Sequence, residues 1–140
     1  MTSKPEPITV KVTVNAPIQK AWDYWTKPEH IMEWSFASDD WEAPAAANDL
    51  AIGGTFSTTM AAKDGSVEFE FGGTYTNIVD LKEISYSMDD GREVTILFST
   101  EGSTVTITET FDPENENPRD MQREGWQSIL NNYKKYVEQA

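Results

Sequence analysis

The sequence predicts an α+β domain: a curved antiparallel sheet wrapped around a long C-terminal helix, with two short helices after the first strand. Three observations predict it. From about Asn117 to Gln139, Trp126, Ile129, Leu130, Tyr133 and Val137 recur at helical spacing, so one helix face is apolar. Between Thr55 and Phe111, apolar and polar residues alternate between glycine-containing turns, the pattern of consecutive antiparallel strands. A meander that long must curl to cover a single helix, and a curled sheet gripping a helix leaves a hollow between them.

Met1 to Pro7 is polar, holds two prolines and is expected to fray. Ile8, Val10, Val12 and Val14 alternate with polar neighbours as a half-buried strand. Asn15 is placed to cap the helix that follows, and Pro17 suits a first turn. Ile18, Ala21, Trp22 and Trp25 form an amphipathic face, and Pro28 ends that helix at Lys27. Pro28 to Trp34 reads as a second short helical piece with Ile31 and Trp34 turned inward. Ser35 to Leu50 is the least regular stretch, a strand or loop leading into Leu50–Ile52.

Gly53-Gly54 marks a bulge or turn before a strand from Thr55 to Met60. Lys63-Asp64-Gly65 turns the chain into a strand with Val67, Phe69 and Phe71 on one face. Gly72-Gly73 bends that strand, and Tyr75 to Val79 continues it. Leu81 to Met88 and Glu93 to Ser99 form a hairpin closed by Asp89-Asp90-Gly91. After Glu101-Gly102, Val105, Ile107, Glu109 and Phe111 share one face opposite four threonines. Asp112 to Asn117 is a polar loop; Pro118 opens the last helix, with Asn117 as its cap.

The 140 residues suit one domain, expected to span 1–140, and such a chain buries enough surface to need no staples. With no cysteine, disulfides, cysteine nucleophiles and thiolate metal sites are excluded. No apolar run approaches a membrane span, and the N-terminus lacks the apolar core of a signal peptide, so a cytoplasmic location is expected. A net charge of -13 repels phosphate backbones and anionic membranes, so neither nucleic acid nor membrane is an expected partner. Five tryptophans point to a large core, a binding pocket, or both.

Val14-Asn15-Ala16-Pro17, Ala21-Trp22, Trp25-Thr26, Pro28-Glu29-His30-Ile31 and Trp34 together resemble the opening of the START-related helix-grip proteins (SRPBCC superfamily). More narrowly they resemble the branch homologous to the activator of heat shock protein 90 ATPase. Asp49-Leu50 with Gly53-Gly54-Thr55-Phe56, then Gly73-Thr74-Tyr75, then Gly125-Trp126 with Ile129-Leu130, Asn132 and Tyr133 to Tyr136, are similar to that branch's later motifs. The resemblance implies a helix-grip fold. It also implies one of three roles: binding a hydrophobic small molecule, cyclase or aromatase chemistry, or modulation of a chaperone. Ala37-Ser38-Asp39-Asp40-Trp41 is similar to small bacterial members that often carry histidine next; Glu42 stands there instead.

The residues placed to line a cavity are Trp34, Trp41, Phe56, Met60, Phe69, Phe71, Tyr86, Met88, Phe98, Met121 and Trp126, which could equally fill the core. Glu109 is the polar anomaly, a carboxylate on an apolar strand face. Either it meets a ligand inside the cavity with a raised pKa, or a bulge returns it to solvent, where most glutamates lie. Adjacent Asp39 and Asp40 point to opposite sides of an extended chain and fit turn or cap roles better than an acid pair. His30, the single histidine, cannot build a multi-histidine metal site, and we place it at the surface. Gly125 weakens the last helix unless the sheet approaches closely there or a ligand needs the space.

No residue is assigned as catalytic, and neither metal nor cofactor is called for. The expectation is a binder of a hydrophobic or amphipathic small molecule between terminal helix and concave sheet, with Tyr86 or Glu109 fixing orientation. The alternatives are a cyclase- or aromatase-like enzyme in the same cavity, or an interaction protein with a chaperone partner or a homodimeric partner.

Overall fold

A computed structural model describes residues 6–36 and 38–139. The fraying expected near the N-terminus falls largely outside them. The chain runs β1 (Ile8–Val14), α1 (Ile18–Thr26), α2 (Pro28–Ile31), β2 (Trp41–Asn48), β3 (Thr55–Ala62), β4 (Glu68–Val79), β5 (Glu83–Met88), β6 (Glu93–Glu101), β7 (Thr104–Phe111) and α3 (Arg119–Gln139). The strands form one seven-stranded sheet in the order β1-β7-β6-β5-β4-β3-β2. Every neighbouring pair is antiparallel. This is the predicted α+β helix-grip fold.

Alternation decides which way each strand faces. In β7, Val105, Ile107, Glu109 and Phe111 are buried while the threonines between them are partly exposed. Val94, Ile96 and Phe98 of β6 and Ile84, Tyr86 and Met88 of β5 continue the buried face. On the opposite face, cross-strand threonine pairs bond hydroxyl to hydroxyl, Thr9 to Thr110 and Thr13 to Thr106, each at 3.0 Å.

Glycine lets the strands beside β4 approach closely. A Cβ at Gly72 would lie 2.6 Å from the Phe56 carbonyl oxygen, and one at Gly73 would lie 2.5 Å from that of Ser87. Both neighbouring strands therefore approach β4 more closely than any side chain allows. β4 runs unbroken through this pair for 12 residues.

One local expectation is corrected, and one open alternative is resolved. Asn15 does not cap α1: the cap position is Pro17, without a side-chain bond, and the Asn15 N–H is donated to Glu138. The Ser35–Leu50 stretch contains a true strand, β2, ending at Asn48; Leu50–Ile52 lies in the turn beyond it. Its register shifts between Glu42 and Ala45, where Pro44 has no N–H to donate, and β2 accordingly sits at the sheet edge.

Along α3, Gln122, Leu130, Tyr133 and Val137 are buried, and Trp126 and Ile129 are half-buried on the same stripe. The Tyr133 hydroxyl donates to the Ala21 carbonyl of α1 at 2.5 Å. Trp25 and Trp34 both meet the Tyr133 ring edge to face, and the Trp34 indole N–H donates to the Tyr24 carbonyl. The C-terminal half of α3 is thereby locked to α1 and the segment after α2. Along the free edge of β1, α3 supplies donors to backbone carbonyls: Gln127 to Lys11 and Lys134 to Thr13.

Candidate ligand cavity

The N-terminal half of α3 stands away from the sheet and roofs a cavity of about 480 Å³. Small-molecule sites have volumes of this order. The roof is Gln122, Gly125, Trp126 and Ile129; the floor is the concave face from β2 to β7. Trp25, Ile31 and Trp34 close the end nearest α1. Phe69, at 47% exposure, and exposed Asn117 also line it, so it opens to solvent beside the β3–β4 hairpin and the loop after β7.

Ten of the residues expected to line a cavity do so: Trp34, Trp41, Phe56, Met60, Phe69, Phe71, Tyr86, Met88, Glu109 and Trp126. Phe98 and Met121 do not. Phe98 lies in the core against Trp22, ring centroids 5.1 Å apart, under α1 rather than under the open half of α3. Met121 points off the buried stripe and is 59% exposed.

Other lining residues escaped the sequence reading. Gln122 occupies the α3 stripe four positions before Trp126, and that spacing is a signal that could have revealed it. Its amide accepts the Glu114 N–H and donates to the Glu114 and Asn117 carbonyls, pinning the loop after β7 to the roof. Tyr75 continues the β4 alternation and donates its hydroxyl to Asn48, whose amide in turn donates to the Thr26 carbonyl. Gly125 has nothing within 4 Å of where its Cβ would sit. Close approach of the sheet is therefore not its reason, and its missing side chain leaves open space in the roof.

Glu109 is inside, not returned to solvent. It is 7% exposed, in the middle of β7, opposite Val10 of β1 and Ile96 of β6. Burial pushes its carboxyl up to about 8 with no hydrogen bond or cation to offset it. Every side-chain nitrogen or oxygen sealed from solvent-sized space, among the described residues, has a hydrogen-bond partner. The Glu109 carboxyl has none, so it opens onto the cavity. Tyr86 lines the same inner region, and burial first, then the Glu109 charge, pushes its phenol well above the usual range. Arg92 lines the cavity too, with its guanidinium on Asp90 at 2.8 Å.

Asp39 and Asp40 are exposed in the turn before β2 and do not line this cavity. His30 is half-buried outside it, stacked on Tyr24 at 4.0 Å and hydrogen-bonded through Nδ1 to the Tyr136 hydroxyl. Among the described residues no acidic or histidine cluster could hold a metal ion. None of their helices is long and apolar enough to cross a membrane.

A curled antiparallel sheet holding a terminal helix over an apolar hollow defines the START-like helix-grip class. Within it the chain belongs to the family described as Activator of Hsp90 ATPase homolog 1-like protein, which it matches over residues 15–138. It is similar to the solution structure of an AHSA1-like protein from Aeromonas hydrophila: 41% identity, TM-score 0.90, covering 95% of this chain and 92% of that one. A protein from Cytophaga hutchinsonii shares 55% identity at a TM-score of 0.82, over 94% and 92% of the two chains. A Chromobacterium violaceum protein at 20% identity shares the fold, with a TM-score of 0.85 over 96% and 99%. No curated protein matches the chain in sequence.

Proposed function

We propose that this protein binds a hydrophobic or amphipathic small molecule in the cavity between α3 and the concave sheet. The observation that carries the reading is a roofed hollow of about 480 Å³ whose aromatic and aliphatic walls surround one unpartnered carboxyl. Apolar ligand surface buried there contributes roughly 25 cal/mol per Å² before ordering costs are subtracted. The rigid end of the fold, around Tyr133, holds the helix in place, so the hollow exists before a ligand arrives.

Native mass spectrometry of protein purified from its own host tests this directly. A retained small molecule at one per chain is expected. A bare mass, together with no change in the NMR signals of Trp126 and Phe71 on adding naphthalene, would sink the reading.

One observation favours a second reading, an enzyme of the cyclase or aromatase kind in the same cavity. A carboxyl whose pKa is raised to about 8 can act as a general acid near neutral pH. An NMR titration giving Glu109 an ordinary carboxylate pKa removes that reading and leaves binding intact.

A further inference from the structure

We infer that the ligand carries a neutral carbonyl oxygen at its inner end, hydrogen-bonded by the Glu109 carboxyl acting as donor. The inference rests on the binding reading above and adds the chemistry of what is bound.

Elimination among the polar groups leads there. The Gln122 amide is fully engaged by the loop after β7, and the Tyr75 hydroxyl by Asn48. Arg92 is bonded through Nε to Asp90, which offsets its charge. Deep in the floor, Glu109, Tyr86 and Thr58 remain, 7%, 6% and 5% exposed, and of the three only Glu109 can carry a charge that burial opposes near neutral pH. The titratable residues lining the cavity are Tyr75 on β4, Tyr86 on β5, Arg92 in the turn after it, Glu109 on β7 and Glu114 in the following loop. Arg92 is the only cation among them in the described residues, and it sits where the chain turns between β5 and β6.

An unpaired carboxylate between Val10 and Ile96 is costly, so the neutral acid is the form this site favours. The upward shift to about 8 agrees. A neutral acid offers one O–H, and the Tyr86 phenol on the same floor, whose own pKa is also raised, offers another. O–H donors on the floor of an apolar hollow suit an acceptor that brings no proton and no charge of its own, namely a carbonyl oxygen. A ligand carboxylate would face Glu109, and Arg92, the cation lining the cavity, is already paired with Asp90. A ligand amine would require Glu109 to ionise where nothing else stabilises the charge.

Four matched probes test this by calorimetry at about pH 6.5, where Glu109 is neutral: 2-acetylnaphthalene, its hydrocarbon analogue 2-isopropenylnaphthalene, 2-naphthoate and 2-naphthylmethylamine. The ketone is expected to bind roughly tenfold or more tightly than the other three. That advantage should survive in Glu109→Gln, whose amide still donates, and disappear in Glu109→Leu. It should also fade in the native protein, but not in Glu109→Gln, as the pH is raised to about 9.5 and Glu109 ionises. Equal binding of ketone and hydrocarbon, or tightest binding of the amine, overturns the inference while leaving the cavity reading standing. Binding of none of the four, with a bare mass from the host, takes the cavity reading down as well.

Discussion

Trp126 of α3 lies flat on Phe111 of β7, ring centroids 3.9 Å apart and planes within 6° of parallel. This contact joins roof to floor at the margin of the cavity, where the helix otherwise stands clear of the sheet. Phe71 meets the same indole edge-on at 6.0 Å, so one side chain holds three elements in place.

Replacing Trp126 with Ala removes that bridge. Because the indole is only half-buried, the expected loss is about 2 kcal/mol, below the range for a fully buried aromatic. Urea denaturation measures it. Trp126→Phe should recover more than half of the loss, since a phenyl ring can still stack on Phe111.

Glu109 makes stability depend on pH in the sense opposite to most carboxylates. Its folded pKa, about 8, lies above its unfolded value, so the folded chain holds the extra proton between the two. Below about pH 4 both states are protonated and burial of the acid carries no ionisation penalty. As pH rises toward 8 the unfolded state releases its proton first, and stability falls by on the order of 3–5 kcal/mol across that window. Urea midpoints of the native protein relative to Glu109→Gln should decline from about pH 5 to pH 8. A flat difference between the two would show that Glu109 is solvated in the folded state.

Gly125 separates helix stability from cavity space. Nothing occupies the volume where a Cβ would go, so Gly125→Ala should raise stability by about 1 kcal/mol through helix propensity alone. Gly125→Leu should fold as well but fill part of the roof, weakening naphthalene binding roughly tenfold or more. Thermal melts read the first effect and NMR titration the second.

Tyr133→Phe tests the rigid end. The hydroxyl lost donates to the Ala21 carbonyl, so about 1 kcal/mol should disappear from the unfolding free energy. Ligand binding at the open half of α3 should be unchanged, because Tyr133 does not line the cavity.

How much of this was legible in the sequence follows from what periodicity can encode. The α3 stripe and the alternation of β5 to β7 correctly assign faces, because a period of 3.6 or 2 fixes direction. Periodicity does not fix depth along an element. Phe98 shares a face with Glu109 but sits under α1, where Trp22 fills the space, and alternation cannot distinguish the two ends of one face. Strand β2 was obscure because its alanines and Pro44 carry no alternation; its pairing with β3 alone makes it a strand. Glu109 was read from its place on the apolar face, but whether it meets solvent depends on how far α3 stands from the sheet. That separation arises from long-range packing at Tyr133 and Trp126, invisible to any local window.

The bonds from Gln127 and Lys134 to the outer carbonyls of β1 reach beyond the stability of one molecule. An uncovered strand margin is a template on which a stranger's backbone can add, and one of the sheet's two margins is here occupied by the chain's own helix. At the other, Pro44 removes a donor and the shifted register spoils the repeat. Both margins of the sheet are thereby poor templates for the backbone of a second copy.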